Sequence, residues 1–211
     1  MSDVSNADAD GAAIETGAPA LGPVGAETHG QPGRRLKDRV AEMIRVDQAG
    51  EYGAVRIYEG QLAVLRHAPG SAHVRARLEH MRDDEVVHLT RFNEIVNESE
   101  TRPTALAPFW HVAGYALGVG TALMGEKAAH ACTAAVETVI DEHYQRQIAT
   151  LEKAGPEHRE LKETIATFRE EEIAHRDEAL ASGAEEAPGY RLLSGAIKLA
   201  CRAAIRISEK V

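Results

Sequence analysis

The chain has 211 residues, 44% of them hydrophobic but only 4% aromatic, and a formal net charge of −9 at pH 7. That length allows one domain with a sizeable core, and apolar content carried largely by Ala suits closely packed helices better than a sheet sandwich. The acidic balance argues against nucleic-acid binding, which needs a basic face. Cys132 and Cys201 form neither a disulfide framework nor a zinc pattern, and read as small buried thiols in a reducing compartment.

Residues 1–33 are rich in Gly, Ala, Pro and Asp, carry five acidic residues and no Lys or Arg, and show no apolar period. So few large hydrophobes cannot offset ordering entropy, so this stretch is expected to be a disordered tail, with residues 34–211 forming the folded domain. It also lacks the apolar core and positive charge of a secretory signal or mitochondrial presequence.

A first helix is predicted from about Arg35 to His67, where Leu36, Val40, Met43, Ile44, Val55, Tyr58, Leu62 and Leu65 recur at helical spacing. Within it, Glu51 sits in Ala49-Gly50-Glu51-Tyr52-Gly53-Ala54. Each glycine costs about 1 kcal/mol relative to Ala in a helix; close approach of helices that share ions, or plain close packing, would explain them. A second helix follows Pro69 and Gly70, with Ser71 as its N-cap, and runs to about Asn97. Its stripe of Val74, Leu78, Met81, Leu89, Phe92 and Ile95 also holds Glu85 and His88, so a carboxylate and an imidazole share the buried face. An unpaired buried carboxylate is costly, and a metal ion is one way to pair it.

After a polar connection, residues 107–125 have the length of a short membrane span, but four glycines, a His and a Pro dilute their hydrophobicity. They read as a crossover leading into the third bundle helix, with Phe109, Trp110 and Tyr115 suited to a lipid-facing surface; an ordinary buried helix is the alternative. The third helix continues from Glu126 to about Ala154 and places Glu137 among small residues. His143 and Tyr144 follow one to two turns later, above or below any ions. Asp47 and Asp141, each one turn from a candidate ligand, could accept the spare N–H of a ligand His or be solvated. The fourth helix opens at Pro156 and ends at Ser182. In Glu170-Glu171-Glu172 only Glu172 precedes a His by three residues, which leaves the other two free to be solvated. A last helix, Tyr190 to Val211, carries Lys198, Arg202, Arg206 and Lys210 as a basic stripe beside Leu192, Leu193, Leu199, Ala203 and Ile207. It would bind a membrane surface or a partner, or cap the bundle.

One pattern occurs twice. Glu51 precedes Glu85-x-x-His88 by 34 residues, and Glu137 precedes Glu172-x-x-His175 by 35. Glu and His three apart share a helix face. A turn falls near the middle of each interval, at Pro69-Gly70 and Gly155-Pro156, so in an antiparallel hairpin each lone Glu stands level with its Glu-x-x-His. Two packed hairpins would gather four Glu and two His at one level. The expected fold is therefore all-α: a ferritin-like four-helix bundle of two hairpins, a crossover segment and an extra C-terminal amphipathic helix, with Glu51, Glu85, His88, Glu137, Glu172 and His175 as ligands of a dimetal site.

With these residues in hand, the chain resembles the 5-demethoxyubiquinone hydroxylase family, the di-iron hydroxylases of ubiquinone biosynthesis. Arg45-Val-Asp-Gln-Ala-Gly-Glu-Tyr-Gly-Ala54, Glu85-x-x-His88, Ala135-Val-Glu137 with His143-Tyr144, and Phe168-Arg-Glu-Glu-Glu-Ile-Ala-His175 carry the resemblance. It implies that the six residues bind two iron ions, that O2 is co-substrate, and that the substrate is a polyprenyl demethoxybenzoquinol held in the membrane. It implies also a peripheral enzyme using segments 107–125 and 190–211 at the membrane. The absence of a presequence fits a bacterial member on the cytoplasmic side of the inner membrane. His143 and Tyr144 would relay protons or electrons. No Gly-x-Gly-x-x-Gly fingerprint is present, so electrons would come from a partner or from a nicotinamide such as NADH bound without it. Other ubiquinone-biosynthesis enzymes and a second copy of the chain are the expected protein partners, and nucleic acid is not one. A ferritin-type ferroxidase or iron store, with the same ligands and no organic substrate, is the rival reading.

Overall fold

The computed structural model describes residues 35–66, 68 and 72–211; the expected tail, and the turn at Pro69, Gly70 and Ser71, lie outside them. Among the described residues there are helices and turns and no strand. The helices are α1 (Leu36–Leu65), α2 (Ala72–Glu98), α3 (Ala107–Leu123), α4 (Glu126–Glu152), α5 (Arg159–Ala181) and α6 (Tyr190–Ser208). Hairpins α1/α2 and α4/α5 build the all-α, ferritin-like four-helix bundle. α3 crosses over on the outside of α1, and α6 returns along α4.

Two features differ from the sequence-based expectation. Segment 107–125 does not run on into the third bundle helix. Met124 ends α3, and Gly125, at φ 112°, turns the chain into α4 in a conformation that L side chains rarely adopt. The helix expected to open at Pro156 starts instead with a short 3₁₀ turn, Pro156–His158, after Gly155 at φ 123°.

The periodic apolar residues separate into two layers. Val40, Ile44, Phe92, Ile95, Val96, Leu151, Ile165 and Phe168 pack at one end of the bundle. Tyr58, Leu62, Leu65, Val74, Leu78, Met81 and Ala129 pack at the other. On all four bundle helices the acidic and histidine positions fall between these layers, so the core is apolar, then polar, then apolar along the axis.

Glycine fixes how α3 docks. A Cβ at Gly118 would collide with the Ile57 carbonyl, and one at Gly60 would collide with the Tyr115 carbonyl. The two backbones therefore touch. The glycines expected to matter beside Glu51 behave otherwise: a Cβ at Gly50 or Gly53 would meet nothing within 4 Å, although the Gly53 carbonyl is itself approached by Gly114. Close packing in α1 thus serves the crossover helix. No helix among the described residues is long and apolar enough to cross a membrane. The outer face of α3 exposes Phe109, Val112 and Leu123, and that of α6 exposes Leu192, Leu199 and Ile207. The side of α6 that faces the bundle carries Ser194, Ile197 and Ser208 instead.

Candidate metal centre

Glu51, Glu85, His88, Glu137, Glu172 and His175 stand between the two apolar layers, and none is more than 5% exposed. His88 Nδ1 lies 3.1 Å from Glu172 Oε1, 3.5 Å from Glu51 Oε2 and 3.7 Å from Glu85 Oε2. His175 Nδ1 lies 3.4 Å from Glu172 Oε2 and 3.5 Å from Glu85 Oε1. Glu85 and Glu172 thus turn one carboxylate oxygen to each imidazole, the disposition of a bridging pair. Glu51 joins the His88 side. One ligand atom apiece from Glu51, Glu85, His88 and Glu172 lies within 4.8 Å of the others.

Burying so many carboxylates carries a large desolvation penalty, several kcal/mol for each isolated ion. Burial holds the carboxyls of Glu51 and Glu137 well above the ordinary range, and the charges of Glu85 and Glu172 add to it. Burial also pushes Glu85 upward, but its hydrogen bonds with His175 and His88 outweigh that and bring it to about 2. For the imidazoles burial works against protonation, and the hydrogen bonds to Glu172, with Glu51 or Glu85, prevail. His88 is raised far above the usual histidine range and His175 to about 11. Each ring therefore holds a proton at the place a metal ion would take.

Divalent cations fit this site. Apart from their loose contacts of 3.4 and 3.5 Å with one another, Glu85 Oε1, Glu172 Oε2 and His175 Nδ1 are buried with no partner, and cations between the carboxylates would occupy all three and relieve their repulsion. The outer ring nitrogens are already held: His175 Nε2 is 3.1 Å from Asp84 Oδ2, and His88 Nε2 is 2.5 Å from Glu171 Oε2. A carboxylate on the far nitrogen orients a ligand histidine and raises its basicity.

The sequence offered Asp47 and Asp141 either that orienting role or solvation, and in the structure neither applies. Asp141 pairs with Arg169 and Arg176 at 2.7 and 3.0 Å, and Asp47 bonds to His143 and Gln147 at 3.2 and 2.7 Å. Glu171, read as solvated, is instead the partner of His88. The missed signal is short: each Glu-x-x-His is directly preceded by an acid, Asp84 or Glu171, that reaches across to the other hairpin's histidine. Tyr58 was likewise read only as core. It donates to Glu137 Oε1 at 3.2 Å, while Tyr144 donates to Glu51 Oε1. Each Tyr stands seven residues after the Glu of its own helix and bonds the Glu of the other.

Two cavities adjoin the cluster. A chamber of about 30 Å³ is lined by Asp47, Gly50, Glu51, Glu137, His143 and Tyr144 among others. A larger apolar cavity of about 310 Å³ lies between α1, α3, α4 and α6. They share Val46, Gly50, Ala54, Val136, Ile140 and Ile205, so the larger one lies against the chamber that the carboxylates line.

Residues 38–208 match the family model described as "Ubiquinone biosynthesis protein COQ7". The chain belongs to the COQ7 family. It is 52% identical over 172 residues to the 3-demethoxyubiquinol 3-hydroxylase of Rhodospirillum rubrum, covering 82% of this chain and 78% of that protein. It is 49% identical over 173 residues to the mitochondrial NADPH-dependent 3-demethoxyubiquinone 3-hydroxylase of Homo sapiens, covering 82% and 78%. To the mitochondrial 5-demethoxyubiquinone hydroxylase of Saccharomyces cerevisiae it is 40% identical over 186 residues, covering 82% and 78%. As a COQ7-family member the chain is an enzyme of the hydroxylase type.

Proposed function

We propose that this chain is a di-iron monooxygenase that hydroxylates the ring of a polyprenyl demethoxybenzoquinol, 2-polyprenyl-3-methyl-6-methoxy-1,4-benzoquinol, with O2. The observation that carries the reading is a buried carboxylate-imidazole cluster whose chamber adjoins an apolar cavity of about 310 Å³. The substrates in the names of the relatives point the same way. A ferroxidase needs the cluster but has no use for an apolar cavity wide enough for an organic ring.

Glu85 and Glu172, each facing both imidazoles, would help hold two irons. Glu51 with His88 would complete one, and Glu137 with His175 the other. Oxygen-rich ligation with two imidazoles suits iron or manganese better than zinc or copper. The irons, when bound, would supply the oxygen activation that no side chain can. In balance, one oxygen atom replaces the ring hydrogen as hydroxyl and the other leaves as water, consuming two electrons and two protons. Electrons would come from a nicotinamide, in keeping with the NADPH-dependent names of the mitochondrial relatives, or from a partner protein. Asp84 and Glu171 would keep the histidines oriented. Tyr144, bonded to Glu51, and His143 beside it would pass protons or electrons at the wall of the inner chamber. The apolar residues that line the cavity would exclude water and receive the ring. The exposed apolar faces of α3 and α6, with Lys198 and Arg206 on α6 and Lys210 just past its end, would rest on the inner face of a bacterial membrane and admit a lipid-soluble tail.

Quinone profiling of a strain deleted for this gene tests the reading. Accumulation of the demethoxy quinone, cured by the wild-type gene but not by Glu137→Ala, is expected, together with loss of bound iron in the variant protein. Unchanged ubiquinone in a strain without a redundant hydroxylase would shift the reading to iron handling.

A further inference from the structure

The two halves of the centre repeat each other closely, and one departure stands out. Relative to Glu51 and Glu137, the two copies match at the tyrosines, Tyr58 and Tyr144, and at two buried glutamines, Gln61 and Gln147. Among the many positions at which they differ, two bear on the polar groups around the centre. Four residues before the Glu, α1 has Asp47 where α4 has Thr133. Six residues after it, α4 has His143 where α1 has Ile57. The two titratable members of these unlike pairs, Asp47 and His143, fall at the same end of the centre, the Glu51 end, and they are in contact.

There they form a closed set of three. His143 Nε2 is 3.2 Å from Asp47 Oδ1, Gln147 Nε2 donates to the same oxygen at 2.7 Å, and Gln147 Nε2 lies 2.9 Å from His143 Nε2. Asp47 and Gln147 are each 3% exposed and His143 8%. Asp47 and His143 line the inner chamber together with Glu51 and Tyr144. At the mirrored end the matching glutamine, Gln61, bonds a backbone carbonyl, that of Ala129, at 3.2 Å, and Ile57 faces the apolar cavity. A buried carboxylate bonded to a histidine sets which ring nitrogen carries the proton and how the ring is turned.

We propose that Asp47, braced by Gln147, is a positioning residue that fixes the tautomer and orientation of His143 and so makes the Glu51 end of the centre the one at which protons enter during hydroxylation. The Glu137 end, with Thr133 and Ile57 in the equivalent places, is the closed one. This rests on the hydroxylase reading above, in which each turnover consumes two protons. Asp47 acts through His143, to which it is bonded.

The test compares Asp47→Asn, Asp47→Glu and the mirrored Thr133→Val in the full-length iron-loaded enzyme. Asp47→Asn should lower kcat about 10- to 100-fold, the usual cost of losing an orienting partner, with KM for a short-chain quinol and iron content unchanged. Its solvent deuterium isotope effect on kcat should rise, Asp47→Glu should restore part of the rate, and Thr133→Val should match wild type. A second readout needs no turnover. In the diamagnetic zinc-loaded protein, ring ¹⁵N shifts of His143, assigned by difference from His143→Ala, should show one tautomer in wild type and an altered one in Asp47→Asn. Unchanged kcat, isotope effect and ¹⁵N shifts in Asp47→Asn would overturn the proposal while leaving a functional hydroxylase. A proportional loss of iron and rate would overturn it too, by making Asp47 a structural support of the metal. A wild-type enzyme without hydroxylase activity would instead refute the functional reading itself.

Discussion

Gly50 offers a test in which stability and activity should move in opposite directions. It lies inside α1, next to Glu51, and nothing stands within 4 Å of where its Cβ would be. A glycine there costs the helix about 1 kcal/mol relative to Ala with no steric reason for it. What distinguishes the position is that it lines both the inner chamber and the apolar cavity. Gly50→Ala should therefore stabilise the domain by about 1 kcal/mol, raising Tm by about 2–4 °C for a domain of this size. The added methyl would enter a chamber of about 30 Å³, room for about one water. If the reacting ring or O2 must pass there, overpacking of about 1–3 kcal/mol in the transition state lowers kcat/KM about 5- to 150-fold, with iron content unchanged. Gly50→Leu should abolish turnover. Scanning calorimetry and chromatographic assay of quinol hydroxylation measure the two effects. A higher Tm with unaltered kcat/KM would show that the route does not pass Gly50; a lower Tm would refute the steric argument.

Gly118→Ala is the opposite case, since its Cβ meets the Ile57 backbone. It should cost about 1–3 kcal/mol through overpacking, and an unchanged Tm would disprove backbone contact between α1 and α3. Protonation of the metal-free cluster gives a further expectation. His175, raised to about 11, contributes stability that is complete below the ordinary histidine range and is lost as pH rises through about 11. Metal must displace that proton, so anaerobic Fe(II) addition should acidify a weakly buffered solution and affinity should increase with pH; uptake without proton release would contradict the ligand set. Finally, burial pushes the Cys132 thiol up to about 12 and that of Cys201 to about 11. Maleimide should label both slowly at pH 8, Cys201 about a hundredfold more slowly than a free cysteine, and faster as pH rises. Rapid labelling of Cys201 at pH 8 would refute this.

The sequence by itself determined the four bundle helices, their pairing and the six residues at the centre. The reason is that a helix has one period and an antiparallel hairpin one symmetry. Glu51 and Glu137 could be set level with Glu85, His88, Glu172 and His175 by counting from the turns. Contacts between helices are a different matter, because sequence spacing says which residues share a face but not what that face meets. Tertiary structure alone decided that Asp84 and Glu171, not Asp47 and Asp141, hold the histidines, since those bonds cross between hairpins at a rotation no periodicity specifies. It alone gave Tyr58 its partner, turned residues 107–123 into a separate helix docked by Gly118 and Gly60, and placed an apolar cavity between four helices drawn from distant parts of the chain. The same packing brought Asp47 and His143, 96 residues apart, into contact at one end of a centre whose ligands are otherwise repeated on both sides.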